Sequence, residues 1–117
     1  MPKYAFLGGY TSASWKGMIE KSETRRDAVQ KAADAVGATV EAFYLTFGDD
    51  DFLLIVDAPD DEAAAAISLA VVSTGALRGI RTIKLIDSER TADILGKARS
   101  VINAYVPPGT RQPAGVG

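Results

Sequence analysis

Residues 40–59 read VEAFYLTFGDDDFLLIVDAP, two runs of alternating apolar residues on either side of Gly48-Asp49-Asp50-Asp51. Glycine and aspartate supply the backbone conformations and local hydrogen bonds of a tight turn, so the stretch reads as a β-hairpin. Before the turn, Val40, Ala42, Tyr44 and Thr46 alternate with Phe43, Leu45 and Phe47. After it, Phe52, Leu54, Val56 and Ala58 alternate with Leu53, Ile55 and Asp57. Both faces of the pair are largely apolar, which decides how the rest of the chain must pack.

Upstream, Tyr4 to Tyr10 is a strand with Tyr4, Phe6, Gly8 and Tyr10 on one face. Gly8-Gly9 lacks the helix context of a nucleotide fingerprint and is expected to permit close packing. Thr11 to Gly17 reads as a polar connection carrying Trp15 and Lys16, with a helical turn at Met18-Ile19. A helix is expected from Ser22 or Thr24, where Thr24 and Asp27 resemble a capping box; Val29, Ala32, Ala33 and Val36 keep its spacing. Gly37 ends it. Downstream, Asp60 is the expected cap of a helix from Asp61 to about Thr74. That helix is apolar around its whole circumference and is expected to be buried on more than one side. Leu77 to Ile86 is the fourth strand. Ser88 is expected to cap a last helix striped by Thr91, Leu95, Ala98 and Ile102, before Pro107-Pro108-Gly109 stops regular structure.

The order β-α-β-β-α-β plus a C-terminal helix is an α+β, ferredoxin-like sandwich. One domain is expected over 1–106, followed by a Pro/Gly-rich tail over 107–117, mobile or lying on a neighbour. Two helices cover only one face of a four-stranded sheet, yet these strands are apolar on both. Each few hundred Å² of bare apolar surface represents several kcal/mol at ~25 cal/mol per Å². The expected partner is therefore a second copy of the chain, a homo-oligomer and in its simplest form a dimer, joined through the open sheet face.

The 117 residues carry a net charge of −2 and a pI near 5.0, which argues against a nucleic-acid partner held by a basic surface. The strand DFLLIVDA also lacks the basic-glycine-aromatic signature of an RNA-stacking sheet. Cysteine is absent, so disulfides and thiolate chemistry are excluded. Histidine is absent too, which removes the commonest general base and transition-metal ligand. No metal and no cofactor are expected, and acid–base chemistry would fall to Asp, Glu, Lys or Tyr. MPKYAFLGGY lacks the pattern of a signal peptide, and the apolar run 63–72 is too short for a bilayer span. A cytoplasmic location without a membrane partner is the expectation.

Right-handed crossovers put the hairpin turn at the same end of the sheet as the end of the first strand and the start of the first helix. That rim gathers Tyr10, Trp15, Lys16, Arg25, Asp49, Asp50 and Asp51, with Arg78 and Arg81 arriving from the fourth strand. Three adjacent acids are first of all turn chemistry and match no calcium loop. Arg25 shares a face with Val29 and Ala32, which makes it either a salt-bridged anchor to Asp51 or an anion-binding group. Tyr10 and Tyr44 pack on the sheet, and either phenol is a candidate weak acid. The candidate ligand-binding set is Arg25, Lys16, Trp15, Tyr10, Tyr44 and Asp51; no catalytic residue is assigned.

FYLTFGDDDF, followed by VDAPDDEAAAAISLAVVSTGALRGIRTIKLI, resembles the GYD-domain family, named for a Gly-Tyr-Asp signature at the strand turn. YTSASWKGM, Arg25-Arg26 and YVPPG extend the resemblance over most of the chain. Gly48 and Asp51 match the signature, whereas Asp50 stands where its tyrosine would be. The resemblance implies the dimeric α/β-barrel type of ferredoxin-like fold, with sheet-to-sheet oligomers, and leaves the activity open. The leading expectation is a small-molecule binding or regulatory module, its ligand beside Arg25 and Lys16. The alternatives are a cofactor-independent oxygenase or isomerase using Tyr and Asp, and an oligomerisation module without a ligand.

Overall fold

The computed structural model describes residues 1–110; the end of the expected tail, residues 111–117, lies outside them. The chain forms two compact units, Met1–Leu85 and a second beginning at Ile86. The first contains β1 (Lys3–Tyr10), α1 (Ser12–Lys21), α2 (Arg26–Asp34), β2 (Thr39–Leu45), β3 (Phe52–Asp57), α3 (Asp61–Ser73) and β4 (Leu77–Leu85). All strand pairs are antiparallel, in the order β2-β3-β1-β4. This is the ferredoxin-like α+β arrangement, with one helix more than the sequence led us to expect.

That helix is α1, in place of the polar connection over Thr11 to Gly17. Thr11 is extended and its hydroxyl accepts from the Ser14 amide at 3.2 Å, a local cap that starts the helix at once. Ser22 closes it with φ +49, the one non-glycine residue in the left-handed region among the described residues. The second correction follows from the first. Arg25, not Ser22 or Thr24, is the N-cap of α2 and makes no side-chain cap bond. The helix thus begins one residue too late for a cap by Thr24.

The helix-side core contains Tyr4 and Phe6 of β1, Val40 of β2, Phe52, Leu54 and Val56 of β3, and Ala63, Ala64 and Ile67 of α3. A register shift between Val40 and Ala42 inserts Glu41 as an extra residue, so Val40 and Phe43 both serve this side of the sheet. Simple alternation, which grouped Val40 with Ala42 and Tyr44, fails at that bulge. Asp60 caps α3 as expected, its carboxylate accepting from the Ala63 amide at 2.8 Å. Only Ala63, Ala64 and Ile67 of α3 are buried, while Leu69 stays 72% exposed. Within one chain the helix is therefore buried on a single side, because the sheet offers its apolar circumference only one surface.

The strand register defines the other sheet face in rows. Tyr44, Leu53, Leu7 and Arg81 form one row, Ala42, Ile55, Ala5 and Ile83 the next, and Thr39, Asp57, Lys3 and Leu85 the last. Ion pairs bound this apolar band at both ends: Lys3 with Glu41 and Asp57, each at 2.7 Å, and Arg81 with Asp50 at 2.6 Å. Both carboxylates, Asp57 first, raise the pKa of the Lys3 ammonium above its ordinary value.

On the helix side, the Tyr4 hydroxyl donates to the Asp61 carboxylate, which also takes Lys84 Nζ at 2.9 Å. Lys84 and then Tyr4 hold the Asp61 carboxyl below its ordinary range, and the bond to Asp61 pushes the Tyr4 phenol up to about 12. In an alkaline absorbance titration of the four tyrosines, one is expected to ionise near 12, and Tyr4→Phe to remove that step. Because the folded pKa is the higher one, the contribution of Tyr4 to stability is complete below about 10 and is lost as pH rises through about 12. An unchanged titration curve in Tyr4→Phe would refute the assignment.

The second unit holds a 3₁₀ turn (Ser88–Arg90) and α4 (Thr91–Ala104). Asp87 rather than Ser88 supplies the capping carboxylate, accepting from the Glu89 amide at 3.0 Å, since the chain enters through the 3₁₀ turn before the α-helix. α4 stops at Ala104, shortly before Pro107-Pro108.

Candidate functional site

Tyr10 ends β1 just before the start of α1, and its ring belongs to a chain of four aromatic rings. Its ring meets Trp15 edge-on at 5.1 Å and Phe52 at 5.3 Å, and Phe52 meets Phe43 edge-on at 5.9 Å. Asp51 fixes this cluster. One oxygen of its carboxylate accepts from the Tyr10 amide at 2.9 Å and from Trp15 Nε1 at 3.2 Å, and Arg78 stands 3.6 Å from the same atom. Arg78 also donates to the Asp49 carbonyl at 2.7 Å. It reaches across β1 because Gly9 has no side chain: a Cβ there would lie 2.3 Å from the guanidinium carbon. Gly8 is equally constrained, with the Phe52 ring 2.8 Å from where a Cβ would sit.

The cation facing Asp51 is thus Arg78. Arg25 instead pairs with Glu23 at 2.8 Å, which overturns the expected anchor between Arg25 and Asp51. The αL turn at Ser22 sets Glu23 and Arg25 side by side in the α1–α2 connection, and that local closeness wins.

Between the helices and the sheet lies a cavity of about 350 Å³, floored by Phe6, Leu54 and Phe52 and walled by Met18, Val29, Ile67 and Val71. A second, of about 420 Å³, lies toward β2 and is lined by Trp15, Ile19, Tyr44 and Leu45. Tyr10, Met18, Glu23, Arg25, Phe43 and Phe52 line both. Volumes of this order and a mostly apolar lining with few polar groups are those of small-molecule sites. The helices leave the space because no residue of α1 and only Ala33 of α2 is buried. Among the described residues the Tyr10 hydroxyl makes no hydrogen bond. Burial pushes its phenol up, Arg25 partly offsets this, and Asp51 and Glu23 add to it, so at neutral pH the group is a hydrogen-bond donor.

Of the residues singled out in the sequence, Tyr10, Trp15, Arg25 and Tyr44 line these cavities, and Asp51 positions two of them. Lys16 is exposed and lines neither. Tyr44, 59% exposed, stands at an edge of the outer cavity. Phe43, Phe52, Met18 and Glu23 were missed as wall residues. Phe43 and Phe52 carry the ordinary signal of a core face, and Met18 and Glu23 enter only once α1 is recognised as a helix. No cluster of metal-ligating side chains occurs among the described residues, and none of their helices is long and apolar enough to cross a membrane.

The family model described as the GYD domain matches residues 4–95. No curated protein matches the chain. Among solved structures, the crystal structure of FFRP-DM1 is similar at 15% identity and a TM-score of 0.50, covering 74% of this chain and 100% of its own. A hypothetical protein, PHS023 from Pyrococcus horikoshii, aligns at 13% identity and a TM-score of 0.48, over 77% of this chain and 95% of its own. The FFRP-DM1 likeness speaks to the fold alone.

Proposed function

We propose, starting from the premise that this chain belongs to the GYD domain family, that it is a small-molecule binding module acting as a homodimer. The ligand is a mostly apolar molecule with one polar end, held between the helices and β1–β3. The observation that carries this is the mostly apolar cavity of about 350 Å³, with Tyr10, Ser14, Lys21, Glu23, Arg25 and Thr74 as its polar members. Asp51 lines neither cavity, and one of its oxygens is taken by the Tyr10 amide and the Trp15 indole, so it acts on the site as a clamp of the wall and not as a base within it. The arrangement therefore favours holding a ligand over transforming one.

The test uses anilinonaphthalene sulfonate, whose emission rises in apolar sites. Saturable binding of one probe per chain is expected, and Val71→Phe, which fills the cavity, is expected to abolish it at a stability cost of about 1–3 kcal/mol. Probe binding undiminished in a folded Val71→Phe variant would sink the reading.

The dimer is proposed through the open sheet face. Its support is the apolar band of Leu7, Leu53, Ile55 and Ile83 bounded by ion pairs, the layout of an interface with an apolar centre and a polar rim. Ile83 is 43% exposed in the single chain, so Ile83→Glu is expected to leave folding intact and convert the dimer to a monomer in sedimentation velocity. A wild-type chain that sediments as a monomer at high micromolar concentration would remove the proposal.

A further inference from the structure

We infer that Glu23 is a built-in stand-in for the ligand: its carboxylate occupies the place on Arg25 that the carboxylate of an amphipathic monocarboxylic acid takes on binding. The inference deepens the binding reading above and rests on it. Glu23 and Arg25 line both cavities, and the pair is the ionic feature shared by the two spaces. The Glu23 carboxylate meets the Arg25 guanidinium at 2.8 Å. A ligand carboxylate offers the same planar, two-oxygen acceptor to the same fork of donors. Its apolar tail then has somewhere to go, because the floor of Phe6, Phe52 and Leu54 begins on the sheet side of that pair.

The exchange is easy for two physical reasons. Both side chains are more than a third exposed, and an exposed pair of this kind favours the closed form by no more than about fivefold. Moreover, the released Glu23 carboxylate returns to water rather than being buried without a partner. Glu23 also belongs to the connection between α1 and α2, three residues before the helix that roofs the cavity. Displacing it frees that connection only when an anionic head is present. The site therefore discriminates by charge as well as by size: a neutral molecule of the same length fills the apolar space and leaves the Glu23–Arg25 pair closed.

The test follows Trp15 fluorescence of the full chain, Trp15 being the single tryptophan and a wall of the outer cavity. Decanoate and 1-decanol are titrated into the wild type, Glu23→Gln and Arg25→Gln. Removing the internal competitor is expected to tighten decanoate about fivefold in Glu23→Gln. Arg25→Gln is expected to weaken decanoate about tenfold, and 1-decanol is expected to bind all three alike. Decanoate affinity unchanged in Glu23→Gln, with 1-decanol still binding, would overturn the exchange while leaving the cavity as a binding site. Failure of both probes to bind any of the three proteins would overturn the cavity reading, and the exchange with it.

Discussion

Phe52→Ala is expected to lower stability by about 3–5 kcal/mol, the cost of deleting a buried aromatic ring. Phe52 is 5% exposed, and its ring is packed against Tyr10, Phe43 and the bare backbone of Gly8. It also lines both cavities, so removing it joins them into one larger space. Equilibrium unfolding in urea measures the first effect. The second is read with ligands of increasing bulk, and the variant is expected to accept ones the wild type excludes. A loss below about 1 kcal/mol would mean that the ring is not a fixed part of the core.

The next largest effect is expected at Asp51. Its carboxylate takes two N–H donors and faces Arg78, and hydrogen bonds to charged groups are worth about 1.5–3 kcal/mol each, without strict additivity. Asp51→Ala is therefore expected to cost about 2–4 kcal/mol. It also frees the Trp15 indole, so the emission of the folded variant moves to longer wavelength. Asp51→Asn keeps one oxygen acceptor and is expected to fall between the two. Equal stability of Asp51→Ala and the wild type in urea would refute the role of Asp51 as the clamp of the aromatic cluster.

Much of this architecture can be read before any coordinates. Period-two alternation in 52–58 puts Phe52, Leu54 and Val56 on the buried side, where they are found. The acid at position 60 caps α3, and Gly37 and Gly75 take the positive φ that ends a helical run. What escapes the sequence is governed by contacts between distant residues. α1 is disguised by its serines, Lys16 and Gly17, although Thr11 with Ser14 and the spacing of Trp15 with Met18 are helical signals in retrospect. The bulge at Glu41 breaks a rule of alternation that holds everywhere else in the hairpin. The partner of Asp51 depends on Arg78 crossing a glycine one strand away, which no local pattern encodes. The candidate site was therefore legible as a rim and a set of residue types. The cavity itself was not, because empty space between a thinly seated helix layer and a sheet leaves no mark in hydrophobic periodicity.

The same bulge has a bearing on what the sheet refuses to do. β2 and β4 are its two borders, and an unguarded border strand is a template onto which foreign backbones can zip, the first step toward fibrils. Glu41 interrupts one border and carries a charge held by Lys3. Arg78, Arg81 and Lys84 line the other with positive charge. Lateral accretion of chains is thereby disfavoured on both flanks, so the sheet is expected to stay at four strands even where the chain is crowded.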